Sequence, residues 1–400
     1  MKPDARRIVA AFAAVSALGT LASLAAPGAS ASGKPVRKAA HTAPATPVPP
    51  SANAKVGGPL MASGGVVVNY PAHNVLRLPN VPASAFVIAD ANTGAVLAAK
   101  DPHGLYPPAS TLKVLTAIAL LPKLDPNMLV RATKMAASVE PNIVGLIPGR
   151  MYRVADLFRA LLLISANDAA VSLVQATGSF TKGMAMINAE AHHLRAYDVV
   201  AKVPNGLPAT GQVVSAYDMA LIARQALSMP SFMRYDQTLT ARFPLSKHKQ
   251  VGMLNQNYLL TQYRGGIGGK IGWTIKAEAT YIGMARRHGV TLIATILHCT
   301  SLQEIYSAEK LLDWGFAMVS HVRPVGTLVA PLRPAPARPA SAHGAAARLH
   351  GGSAGSSGSL ASAPGTSHTA EVAAIGVAIA AVLCAGLVSF ILLRRRAAAR

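Results

Sequence analysis

Three short polar patterns follow one another along this chain, and each sets reactive groups at a spacing that chemistry can use. They are Ser110-Thr111-Leu112-Lys113, then Ser165-Ala166-Asn167, then Lys270-Ile271-Gly272. Three residues of helix turn through roughly 300°, which lays Ser110 and Lys113 on one face, within reach of each other. The helix that follows is apolar almost all round: Leu112, Val114, Leu115, Ala117, Ile118, Ala119, Leu120 and Leu121. Such a helix is buried. Lys113 among apolar neighbours must be partnered or neutral, and a neutral amine can take a proton from the serine hydroxyl and make it a nucleophile. The alternative is a lysine that snorkels out of a core helix.

Ser165 and Asn167 cannot share a helical face, because residues two apart are about 200° apart around the axis. A turn between two helices solves this. Leu157 to Ile164 precedes the pattern and Ala169 to Val174 follows it, both apolar and helical in character. The turn would present a hydroxyl and an amide together into a cleft, for proton relay and for orienting a substrate amide. Asn167 or Asp168 could equally serve as a helix N-cap. Lys270 follows Gly265-Gly266 and Gly268-Gly269, where backbone can come close to a ligand. A lysine there could hold a carboxylate and discourage protonation of Lys113. Its plainer reading is an exposed hairpin lysine.

Each pattern alone is weak. Ser-x-x-Lys recurs at Ser179, Ser246 and Ser307, Ser-x-Asn at Ser51, and Lys-x-Gly at Lys55. A Gly-x-Ser-x-Gly at residues 351–355 sits where no core exists to hold a nucleophile elbow. The elements must therefore select. Residues 85–90, 91–94 and 95–98 read as strand, turn, strand. Residues 110–121 read as a helix introduced by Pro107-Pro108, and 154–176 as helical on both sides of the interruption at 165–168. Thr280 to Gly283 and Val290 to Leu297 read as paired strands, and Glu304 to Phe316 as a last helix. Strands at both ends with helices between argue for a mixed sheet covered by helices, an α/β (α+β) fold.

The termini differ in kind. Lys2, Arg6 and Arg7, an uncharged run from Ile8 to Ala26 and the small residues Ala29-Ser30-Ala31 read as a signal peptide over 1–31. Residues 32–66 and 326–371 are rich in Ala, Pro, Ser and Gly and read as linkers, the first disordered. They bracket one globular domain over 67–325. Val372 to Leu393 carries no charge and is long enough to cross a bilayer core of about 30 Å. Arg394, Arg395 and Arg396 open a basic tail, 394–400, that the positive-inside tendency keeps cytoplasmic. The net charge of +22 would suit a nucleic-acid binder. The export signals instead favour a basic protein on the outer side of the cell membrane, with no nucleic-acid partner. Of the two cysteines, Cys384 lies in the apolar run and Cys299 is the one thiol of the domain. Its stability must come from a hydrophobic core. His192-His193 and His298-Cys299 lack the spacing of a zinc site and read as ordinary surface or strand residues.

Taken together, the three patterns resemble the active-site boxes of penicillin-binding proteins and serine β-lactamases. Within that group the chain is similar to the low-molecular-mass D-alanyl-D-alanine carboxypeptidases over about residues 80 to 320. The likeness lies in Pro108-Ala109-Ser110-Thr111-Leu112-Lys113, Ser165-Ala166-Asn167-Asp168-Ala169-Ala170, Pro204-Asn205-Gly206-Leu207 and Leu311-Leu312-Asp313-Trp314-Gly315-Phe316. The resemblance implies a mostly antiparallel sheet covered by helices, with a helical subdomain. It implies Ser110 as nucleophile and Lys113 as base, with Ser165 and Asn167 assisting departure of D-alanine. Lys270, with Gly272, would bind the substrate carboxylate, and backbone N–H groups, that of Ser110 among them, would stabilise the oxyanion. Peptidoglycan stem peptides are the implied substrate, β-lactams the implied trapped ligands, and no metal or cofactor is implied. Ile271 departs from the resemblance, since the family carries Thr or Ser there and uses its hydroxyl on the substrate carboxylate. Two alternatives stand beside the carboxypeptidase. One is a weakened or inactive homologue that binds the wall. The other is a β-lactamase, although no Glu-x-x-x-Asn box follows Ser165.

Overall fold

A computed structural model of the chain describes residues 55–73 and 75–333. The expected signal peptide, most of both linkers, the apolar run 372–393 and the basic tail lie outside the described residues. No helix among the described residues is long and apolar enough to cross a membrane.

In chain order the first elements are β1 (Val66–Val68), β2 (Ala83–Asp90), β3 (Ala95–Lys100), α1 (Leu112–Leu120), β4 (Leu129–Arg131), α2 (Lys134–Ala137) and β5 (Met151–Arg153). Next come α3 (Val154–Leu163), α4 (Asn167–Gln175), α5 (Phe180–His193), α6 (Ala216–Leu227), α7 (Pro230–Asp236), β6 (Thr240–Pro244), β7 (Gln250–Leu254) and α8 (Leu259–Gln262). The chain closes with β8 (Gly266–Thr274), β9 (Glu278–Arg287), β10 (Val290–Cys299), α9 (Glu304–Met318) and β11 (Gly326–Thr327).

The main sheet runs β1-β3-β2-β10-β9-β8, with β11 added beside β3. Every pairing in it is antiparallel, which corrects the mixed sheet read from element order alone. The reason is connectivity. Hairpins join β2 to β3, β8 to β9 and β9 to β10, and the helices between β3 and β8 form one inserted body, not crossovers between parallel neighbours. His288 and Gly289, with φ of 48° and 82°, give the β9–β10 hairpin the left-handed pair that a tight two-residue turn needs.

The sheet is buried on both faces, and strand alternation sorts its side chains between two cores. On β2, Ala85, Val87 and Ala89 face the helical body, while Phe86 and Ile88 join the cluster under α9. On β10, Ile293 and Leu297 take the first side, Leu292, Ala294 and Ile296 the second. Period-two alternation of apolar residues on both sides explains why these strands read as nearly unbroken hydrophobic runs. The packed body also extends past the expected limits of 67 and 325. Pro59–Ala62 form a 3-10 turn with Met61 fully buried, and Gly326–Thr327 pair with Val96 and Ala95.

Candidate active site

Ser110 sits in a single 3-10 turn, Ala109–Thr111, that runs straight into α1. Ala109 is held at φ 47°, a left-handed backbone that a residue with a Cβ adopts only under constraint. The constraint is visible. Thr111 Oγ1 donates to the carbonyl of Pro108 at 2.6 Å, and Thr280 Oγ1 of β9 donates to the same oxygen at 2.9 Å. Gly206 then allows the 204–207 loop to press on the turn, because a Cβ there would collide with the carbonyl of Ala109.

Lys113, 0% exposed, does not snorkel. Its Nζ donates to Ser110 Oγ at 2.7 Å and to the carbonyl of Asn205 at 2.7 Å. Burial, then the nearby charge of Lys270, holds its pKa well below the ordinary lysine value, with Asp168 acting the other way. Burial so directed favours the neutral amine, which lies in contact with the hydroxyl it would deprotonate.

Ser165 and Asn167 lie at the junction of α3 and α4, as their spacing required. Ser165 takes φ 61°, and both residues are buried. Asn167 Nδ2 donates to the carbonyl of Glu140 at 2.7 Å. Ser165 Oγ and Asn167 Oδ1 are buried with no hydrogen-bond partner among the described residues. Buried polar atoms are nearly always paired, so an unpaired hydroxyl and amide oxygen two residues apart are open to a ligand's hydrogen bonds. The N-cap alternative fails. Ala166 occupies the cap position of α4 with no side-chain bond. Asp168 instead accepts the N–H groups of Val144, Gly145 and Leu146 at 2.8 to 3.0 Å, which fixes the loop above Asn167.

Lys270 is 1% exposed, so the exposed-hairpin reading fails as well. Its Nζ donates to the carbonyl of Ile271 at 2.8 Å. Burial lowers its pKa to about 7, with Asp236 holding it up. Asp236, also buried, accepts the N–H of Gly269 at 2.8 Å, and burial raises its pKa to about 7. Gly272 is the close-approach glycine. A Cβ there would lie 2.5 Å from Thr280 Oγ1 and 2.7 Å from Ser110 N, so only glycine lets β8 pass this near the amide of the serine. Ile271 alternates to the other face, pairs in register with Tyr281 and packs on the cluster under α9.

The structure thus joins Ser110 directly to Lys113, sets Gly272 against the amide of Ser110, and puts Lys270 and Asp168 close enough to act on the charge of Lys113. Neither Ser165 nor Asn167 bonds Ser110 or Lys113 directly. Sequence reasoning missed three contributors: the carbonyl of Asn205, the carboxylate of Asp168 and the carboxylate of Asp236. Asn205 and Asp168 lie inside the family-like patterns. Asp236 carries no signal of its own.

Residues 72–301 match the peptidase S11 family, described as D-alanyl-D-alanine carboxypeptidase. The chain is 38% identical over 247 residues to D-alanyl-D-alanine carboxypeptidase DacB2 of Mycobacterium tuberculosis, covering 60% of this chain and 84% of that one. It is 28% identical over 242 residues to D-alanyl-D-alanine carboxypeptidase DacF of Bacillus subtilis, covering 59% of this chain and 62%, less than two thirds, of that relative. The crystal structure of a D-alanyl-D-alanine carboxypeptidase from Mycobacterium tuberculosis superposes with a TM-score of 0.61 at 36% identity, over 66% of this chain and 100% of that one. A mutant of a Streptomyces DD-transpeptidase gives a TM-score of 0.57 at 25% identity, over 60% and 99%.

Proposed function

The chain belongs to the D-alanyl-D-alanine carboxypeptidase family, and from that premise we propose that it removes the terminal D-alanine of peptidoglycan stem peptides through an acyl-enzyme on Ser110. The observation that carries this reading is the 2.7 Å contact of buried Lys113 Nζ with Ser110 Oγ. Ser110 Oγ attacks the carbonyl carbon of the penultimate D-alanine while neutral Lys113 takes the hydroxyl proton. The Ser110 N–H, beside β8, faces the developing oxyanion. The peptide C–N bond then breaks, and the departing amine receives a proton by way of the unpaired Ser165 hydroxyl. Asn167 orients the substrate amide, and Lys270 attracts the terminal carboxylate. Water attacks the ester, returns the proton to Ser110 and frees the shortened peptide. A β-lactam acylates the same oxygen, but its leaving nitrogen stays tethered, so the ester persists.

Ile271 favours a second reading, a weakened homologue that binds the wall, because it supplies no hydroxyl to the carboxylate. Both readings belong outside the cytoplasm. The basic-then-apolar start of the chain and the apolar run ending at Arg394 support an exported domain held at the cell membrane. D-Alanine release from a peptide ending in D-Ala-D-Ala separates the two. The carboxypeptidase releases it and Ser110→Ala does not, whereas the wall-binding homologue binds the peptide with no release from either.

A further inference from the structure

The helical body carries two short ribbons that the chemistry above does not use. In β4–β5 the register sets Leu129 opposite Arg153 and Met151 opposite Arg131. All four are exposed, while Val130 and Tyr152 between them join the core. The outer face of the ribbon is thus a square of two cations and two large apolar side chains, Leu129 55% and Met151 40% exposed. Tyr152 ties this ribbon to the next. Its hydroxyl accepts the N–H of Ile147 at 3.0 Å and donates to the carbonyl of Leu245 at 3.2 Å, and its ring lies 5.4 Å from that of Phe243. The β6–β7 turn therefore stands beside Ile147, itself exposed, and that turn carries Lys247, His248 and Lys249, all exposed. Residues 141–155 and 237–277 contain no Asp or Glu. The acids that flank the first stretch are Glu140 and Asp156, and Asp156 is already paired with Arg159 at 2.8 Å.

We propose that this end of the helical body docks on an anionic lipid surface; the proposal rests on the membrane-held reading above, which brings a bilayer within reach of the domain. Charge complementarity and apolar exposure together select the partner. A phosphate-rich polymer would pair with the cations alone and leave Leu129, Ile147 and Met151 in water. A bilayer interface takes both. The apolar side chains enter the boundary between headgroups and acyl chains, the arginine stems lie along it, and the charged heads reach the phosphates. The negative potential of an anionic leaflet draws the same cations toward it. Ile147 also directly follows residues 144–146, which Asp168 holds above Asn167, so docking here would set the height of the cleft over the bilayer.

The test uses the full chain in lipid nanodiscs, with Cys384→Ala and an NBD fluorophore on Met151→Cys; the other thiol, Cys299, is fully buried. One set of discs holds phosphatidylcholine alone, the other phosphatidylcholine with phosphatidylglycerol. Emission is expected to be about twofold or more higher in the anionic discs, and the difference to shrink as salt is added. Arg153→Glu with Lys247→Glu and Lys249→Glu should abolish the difference while penicillin still acylates Ser110, which reports an intact fold. Lys247→Gln with Lys249→Gln, confined to the exposed turn, should reduce it in part. Equal emission in the two discs, or a difference that survives the triple charge reversal, overturns the docking surface and leaves the membrane-held reading standing. A chain that neither disc retains overturns both. Flat emission on anionic discs, with binding of soluble polyphosphate that the triple variant loses, assigns the face to a polyanionic polymer and overturns the lipid surface.

Discussion

A lysine that is to take a serine proton must be biased toward its neutral form, and two residues share that work with burial. Lys270 places a second positive charge near Lys113, and Asp236 in turn sustains the charge of Lys270 against its own burial. Asp236→Asn should therefore let the pKa of Lys270 fall below about 7. The alkaline limb of kcat/KM for D-Ala-D-Ala peptides then moves to lower pH. A purely structural role for Asp236 would instead lower the rate equally at every pH. Ile271→Thr puts a hydroxyl against the cluster under α9, on the face of β8 opposite Lys270, so turnover and penicillin acylation should stay within about threefold of wild type. A rise of about tenfold or more, the value of a hydrogen bond to a charged group, would mean that the side chain at 271 reaches the substrate carboxylate. At this scale Ser110, Lys113, Lys270 and Gly272 were legible because their patterns are local. Asp236 and Asn205 were not, since they act across 33 and 92 residues of sequence.

Elements decide whether those side chains meet. Asp168 draws residues 144–146 against the start of α4 with three backbone bonds. Asp168→Ala removes a buried acceptor and leaves those N–H groups unpaired, which should cost about 3 kcal/mol or more in urea unfolding. The same variant should expose the 140–147 loop to limited proteolysis. Gly272→Ala tests the close approach of β8. Its Cβ would crowd Ser110 N and Thr280 Oγ1, so penicillin acylation should fall at least a hundredfold, whereas Gly252→Ala, with open space around its Cβ, should acylate at close to the wild-type rate. The α1 helix and the α3–α4 break were legible from long apolar runs on either side of polar residues, and β9–β10 from paired hydrophobic stretches. The ribbons β4–β5 and β6–β7 were not. With three to five residues per strand, they are too short to show a period. The helix carrying Leu311 to Phe316 has a structural reason for its glycine: a Cβ at Gly315 would lie 2.8 Å from Leu292 Cδ1, so the glycine lets α9 lie close to the sheet at that point.

Across the whole molecule, two cores flank one sheet, and a buried polar cluster ties the ends of the body together. His103 pairs with Asp198 at 2.6 Å and reaches the carbonyl of Val56 at 3.0 Å. Its ring stacks near Tyr217, whose hydroxyl donates to Thr327 and accepts from Val329. Asp218 accepts the N–H of Asp198 at 2.6 Å. Burial, then the charge of Asp198, raises the pKa of Asp218 well above 3.8. Between 3.8 and that raised value the folded state holds a proton that the unfolded chain has lost, so this group withdraws stability as pH rises. Asp218→Asn should thus gain in Tm relative to wild type on going from about pH 5 to about pH 8. An equal difference at both values would contradict the assignment. None of this cluster was legible in the sequence, because its residues are scattered over more than a hundred positions. The buried Cys299 thiol, pushed up to about 11 by burial, leaves the fold to rest on its apolar cores, as the cysteine count had indicated.

The central claim is that Ser110 forms the acyl-enzyme. Incubation with penicillin followed by peptide mass spectrometry measures it directly. The adduct should appear on the peptide that contains Ser110, be lost in Ser110→Ala, and form far more slowly in Lys113→Met, which keeps the packing and removes the amine. An adduct on Ser179, Ser246 or Ser307, or none on Ser110 in the wild type, would contradict the account.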